Sequence, residues 1–129
     1  MSTVATGGLQ TLDGTKELST EGIVQGSAKA WVNFTAITTT FIRDSVNVSS
    51  ITDNAIGDTA VSLTNAMANS TYAVPMGGTK NDAVNNYGHS RQATLLTANG
   101  FHALTGFVTS THFADDHFST YASVFGDLA

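Results

Sequence analysis

The chain of 129 residues contains no cysteine, one proline and only 5 Lys+Arg. Without cysteine there is no disulfide framework, no thiolate metal site and no thiol nucleophile, so stability has to come from packing and association. The cations Lys16, Lys29, Arg43, Lys80 and Arg91 stand singly against 10 Asp+Glu, giving a net charge of -5. No basic stripe is present to displace counterions from phosphates, which argues against nucleic acid as a partner. Charged residues make up 12% of the chain, half the usual share of about a quarter, and Thr, Ser and Asn take their place. No run approaches ~18 apolar residues, and residues 1–8 lack the basic start and apolar stretch of a signal peptide. The chain is therefore expected to be made in the cytosol, with no membrane insertion. Its length fits one domain, and at this size only about two-thirds of the unfolded surface is buried, so self-association would help.

What is present reads mostly with a period of two. Residues 1–26 form an exception: Gly7, Gly8, Gly14, Gly22 and Gly26 recur among Thr and Ser with little apolar material, which predicts an N-terminal arm rather than a core element. It is read either as a mobile tail or as an arm that orders against a neighbouring subunit. Residues 27–129 then form the domain. Val32 and Phe34 share a face opposite Asn33, and Val46 and Val48 oppose Asn47 and Ser49, the pattern of half-buried strands. Turn formers from Thr52 to Asp58, with Gly57 able to take positive φ, predict a hairpin. Val61 and Leu63 point inward from the following strand. Tyr72-Ala73-Val74 reads as a strand limited by Pro75, with Gly77-Gly78 and the polar stretch to His89 running over the surface. Further strands are expected at 91–96, 101–108 and 120–125. About seven short strands separated by turns predict an all-β fold, an antiparallel β-sandwich of jelly-roll-like or Ig-like type, with the arm extended from it.

Three segments carry a resemblance. They are Gly26-Ser27-Ala28-Lys29-Ala30-Trp31-Val32-Asn33-Phe34; Ile42-Arg43-Asp44-Ser45-Val46-Asn47-Val48-Ser49-Ser50-Ile51-Thr52-Asp53-Asn54 with the Gly57-Asp58 turn; and Tyr72-Ala73-Val74 with the closing Ser123-Val124-Phe125-Gly126. Together they resemble a small β-domain of tailed-bacteriophage virion proteins, of the tail-fibre or receptor-binding type found in marine and cyanobacterial phages. The resemblance runs over residues 26–126, so the chain is expected to be this module with a short arm. It implies a virion structural protein, localised in the virion. The expected assembly is a homotrimer, attached to other phage virion proteins through residues 1–26 and contacting a host surface glycan or protein. A short tail fibre or tail tip, a capsid decoration protein and a glycan-binding module are the alternatives. No catalytic residues and no cofactor are implied.

Individual residues have competing readings. Trp31 lies on the face opposite Val32 and Phe34, where it serves the core, a subunit contact or a sugar-stacking platform. Arg43 and Asp44, adjacent and hence on opposite faces, suit separate inter-strand or inter-subunit ion pairs, and with Trp31 and Phe34 they are the expected assembly residues. The phenylalanines at 41, 101, 107, 113 and 118 exceed the needs of one small sandwich, so some are expected at an interface. Tyr87, His89, Phe113 and His117, in the loops 76–90 and 110–119, are the expected receptor-contact residues. His112, Asp115 and His117 form the densest group of metal-ligand types, yet the odd separation of 112 and 117 places them on opposite sides of any strand, so polar loop residues are the better reading. Neither a nucleophile elbow nor a phosphate-cradling loop is found.

Overall fold

The computed structural model describes residues 7–80, 88–108 and 111–129, with residues 88–90 and 108 described as backbone. Inside the expected arm, strand β1 (Gly8–Gln10) pairs antiparallel with β2 (Glu17–Ser19) and leads into helix α1 (Thr20–Gly26). Local hydrogen bonds shape this segment. The Asp13 carboxylate accepts from the Thr11 hydroxyl at 2.5 Å and from the Thr15 amide and hydroxyl at 3.0 and 2.8 Å, closing the turn between the strands. Ser19 caps the helix, its Oγ accepting from the Gly22 amide at 3.0 Å, so one of the orphan N–H groups at the helix start is satisfied. Nothing in α1 is buried, and Leu9, Leu12, Leu18 and Val24 are all exposed.

The remaining strands make two antiparallel sheets. One has the order β4-β3-β11-β7, from β3 (Ala30–Thr35), β4 (Phe41–Val46), β7 (Met76–Thr79) and β11 (Ser119–Val124). The other is built from β5 (Val48–Ala55), β6 (Asp58–Leu63), β8 (Gly88–Thr97), β9 (Gly100–Val108) and β10 (His112–Ala114). In it β8 lies along one edge of β9, while β6 and then β10 share the other. The period of two now has its cause: Ala30, Val32, Phe34, Ala122 and Val124 from the first sheet meet Val61, Leu63, Phe101 and Ala103 from the second in one core. This is the antiparallel β-sandwich that the alternation predicts.

The sequence reading starts a strand at 91 and leaves 110–119 as a loop, whereas β8 begins at Gly88 and β10 occupies His112–Ala114; two further boundaries differ. Val46 to Ser49 is broken at Asn47, which adopts φ 57, a left-handed conformation that asparagine tolerates better than most residues. Its side chain holds the corner: Nδ2 donates to the Lys29 and Asn65 carbonyls at 3.1 and 3.2 Å, and Oδ1 accepts from the Asn65 amide at 2.7 Å. The chain thereby passes from one sheet to the other. The second correction concerns Tyr72 to Val74, of which only Ala73 bridges, to Phe125, while the strand proper is β7, containing Gly77 and Gly78. Pro75 lacks an N–H and so precedes the strand. Tyr72 instead plugs the core, its hydroxyl donating to the Gly100 carbonyl at 2.7 Å.

Candidate functional site: an aromatic and cationic lip

The inward face of β9 runs through buried Phe101, Ala103 and Thr105 and then emerges at half-buried Phe107. The antiparallel register sets Phe113 of β10 directly opposite Phe107. Directly opposed residues share a sheet face, so the rings meet: their centroids are 5.2 Å apart and their planes 20° apart. Phe113 remains 48% exposed, presenting a flat apolar surface to solvent. Lys80, just beyond β7, places Nζ 4.2 Å from the centre of the Phe107 ring and 2.8 Å from Asp115 Oδ2. The second contact is an ion pair without hydrogen-bond alignment. Across the other edge of β9 the register sets His89 opposite Phe107.

The segment after β10 is fastened group by group. The Asp115 amide donates to the Thr105 carbonyl at 3.2 Å, the Thr105 hydroxyl to the Asp115 carbonyl at 2.7 Å, and the Gly57 amide to Asp116 Oδ1 at 2.7 Å. His117 is fully buried, with Nε2 3.2 Å from the Gly106 carbonyl oxygen, while its own carbonyl accepts from Ala36 at 3.1 Å. Phe118 follows at the surface under Arg43, whose guanidinium carbon lies 4.3 Å from the ring centre and whose Nη2 donates to the Phe118 carbonyl at 2.7 Å. A bulge explains that reach: Asp44 pairs with Asn33 and Ile42 with Phe34, leaving Arg43 as the extra residue. An unpaired residue in a bulge is re-aimed relative to the pleat.

The structure thus gathers Phe113, Asp115 and Arg43 with Phe107, Lys80 and Phe118 at one end of the sandwich. It separates others. His112 is exposed on β10, Asp115 is tied to Lys80 and His117 is sealed inside, and among the described residues no three potential ligands are placed to hold a metal ion. His117, expected at a receptor-contact loop, offers no surface. Phe34, expected at an assembly contact, is 1% exposed within the chain's own core. Trp31 is half-buried on the outer face between Val46 and Ser123, and Asp44 shares that face. Tyr87 lies outside the described residues.

Sequence reasoning missed the pair His102 and Asp58, whose Nδ1 and Oδ1 are 2.8 Å apart across β9 and β6, with Asn54 Nδ2 at 3.4 Å. Its only signal is the register between strands far apart in sequence. Among the described residues its hydrogen bonds reach an amide and no nucleophile. What the lip offers chemically is flat ring surface beside positive charge, which suits contact and recognition. No protein-family model, curated protein or solved structure matches the chain.

Proposed function

We propose that this chain is a bacteriophage virion structural protein, a short tail fibre or tail-tip subunit that assembles as a trimer and meets the host surface. The observation that carries the reading is the polarity of the molecule. Residues 7–26 leave the Ala30 end of β3, whereas the amide of Ala36, beyond the other end, is bonded to the segment that carries the lip. Six residues of β3 separate the two ends by roughly 17 Å at about 3.3 Å per residue. One end therefore bears a hairpin and helix with Leu9, Leu12, Leu18 and Val24 exposed, and the other bears exposed rings and cations. A three-residue strand pair without a core of its own is marginal in isolation. Each buried Leu or Val would contribute about 1.5–3 kcal/mol before association costs, which favours docking of the arm on a neighbour.

The test is to locate the protein in intact particles by cryo-electron microscopy without imposed symmetry at the tail. Density at the tail supports the proposal. Copies spread over the capsid lattice would make it a decoration protein, and particles lacking it would refute a virion role. Light scattering on the purified chain checks the trimer.

A further inference from the structure

A depression of about 200 Å³ opens on the outer face of the second sheet, where β6, β9 and the end of β8 meet, and neither the core nor the lip uses it. Ala60 and Ser62 alternate with inward Val61 and Leu63, so they face outward, and His102, directly opposite Ala60 on β9, shares their face. The floor is low because Ala60 is short and Gly100 carries no side chain; a Cβ on Gly100 would lie 2.1 Å from the Val61 carbonyl oxygen. Leu95 also lines it. It belongs to a bulge in which Leu95 and Leu96 stand against the single Phe101, and while Leu96 packs on the core, Leu95 takes φ 48 and stays 66% exposed. A leucine there is unfavourable twice, in a left-handed backbone that a Cβ opposes and as apolar surface left in water. Bulges re-aim side chains, and this one turns Leu95 onto the depression. The His102 ring is set by Asp58: the carboxylate only accepts, so the 2.8 Å contact puts the proton on Nδ1, and Nε2 is the nitrogen that Asp58 does not engage. The side chain of His102 is 27% exposed.

The lining sets the chemistry of a ligand. It holds no Lys, Arg, Asp or Glu, and the Asp58 carboxylate beside it is already paired with His102, so a charged ligand would lose water without gaining an unpaired counter-charge. Ser62, Asn99 and His102 bring a hydroxyl, an amide and an imidazole, which together donate and accept, while Leu95 brings apolar surface. A volume of about 200 Å³ lies below the roughly 300–1,000 Å³ of pockets that take drug-sized molecules, which leaves room for one ring. A pyranose meets all three conditions, having an apolar C–H face for Leu95 and hydroxyls for the polar groups. We infer that this depression binds a single neutral sugar residue, its C–H face on Leu95 and one hydroxyl donating to His102 Nε2. It lies at the Gly100 end of β9, away from the Val108 end where Phe107 meets Phe113, so the inference does not rest on the host-contact reading.

The experiment is an NMR titration of the full chain with the methyl glycosides of glucose, galactose, mannose and N-acetylglucosamine. Glycerol serves as a polyol lacking the ring and cyclohexanol as a ring lacking the polyol. Saturable shifts of the amides of residues 60, 62, 95, 99 and 102 are expected with at least one glycoside, at concentrations on the order of millimolar, and with neither control. His102→Gln should weaken that binding at least about tenfold, worth 1.4 kcal/mol. Leu95→Gly should weaken it about as much while leaving Tm unchanged or higher, since glycine takes the left-handed conformation without steric penalty. It is the independent measurement should His102→Gln fold poorly. No saturable shifts with any of the four glycosides, equal shifts with glycerol or cyclohexanol, or undiminished binding by a folded His102→Gln or Leu95→Gly chain would overturn the site. None of these outcomes bears on where the protein sits in the particle, so the two proposals fail separately.

Discussion

Replacing Gly57 by alanine tests whether the hairpin and the lip are mechanically one unit. Gly57 adopts φ +71, and a Cβ there would lie 2.4 Å from the Thr105 carbonyl oxygen and 2.8 Å from the Asp115 amide. The left-handed conformation alone costs a non-glycine residue about 1–2 kcal/mol. Both close contacts are with backbone, which cannot rotate away, and overpacking of that kind adds about 1–3 kcal/mol. Any shift also strains the bonds from the Gly57 amide to Asp116 and from the Thr105 amide to the Gly57 carbonyl, at 2.7 and 2.8 Å. The combined loss is about 2–5 kcal/mol, a large part of a typical domain's 5–15 kcal/mol. For a chain of this size it corresponds to a fall in Tm of roughly 7–18 °C. Thermal unfolding followed by circular dichroism measures it, with Gly26→Ala as the control because nothing lies within 4 Å of a Cβ there. If Gly57→Ala melts with Gly26→Ala, the close approach of residues 105 and 115 is not a constraint and the reasoning fails. The same variant should shift the Phe113 ring resonances, since residues 114–116 must move.

Phe34→Ala opens a cavity beneath both sheets and should cost about 3–5 kcal/mol in urea unfolding; a loss below about 1 kcal/mol would contradict its place in the core. Arg43→Ala removes an exposed ring contact and should cost the folded monomer about 1 kcal/mol or less, while lowering the fraction of the proposed trimer on a calibrated sizing column. Equal trimer content in variant and parent would exclude Arg43 from assembly. The Asp13 carboxyl is held well below the ordinary aspartate range, at a pKa of about 2, chiefly by the Thr11 hydroxyl and also by the Thr15 amide and hydroxyl. Because the folded value is depressed, the turn is favoured above the unfolded pKa and loses that support as pH falls toward 2. A carboxyl-carbon NMR titration giving an ordinary aspartate value would show that the turn is not closed in this way.

Alternation along single strands was enough to read β3, β6 and β11, the shared face of Val32 and Phe34 and the inward direction of Val61 and Leu63, because burial of one sheet face imposes a period of two wherever the strands pack. The Gly57 turn was legible for a similar reason, being determined by residues next to it. The break at Asn47 was not, since its left-handed backbone is supported by Lys29 and Asn65, both 18 residues away. Nor was β7: the run Pro75-Met76-Gly77-Gly78 reads as a loop until Tyr121 from another strand covers Gly77. His117 read as a polar loop residue because nothing local marks its burial; it is enclosed by the backbone of β9 and by residues after β3. The ring and cation pairs of the lip belong to the same class. Their members lie on different strands, and the phenylalanine at 113 meets Phe107 rather than open water only because β10 returns along β9 in one register. The sequence alone therefore determined the fold class, the polar, acidic composition and which residues of a strand share a face, each a property of neighbours along the chain. Which side chains meet was decided by strand register and sheet packing, since those bring together residues that carry no information about one another until the backbone is folded.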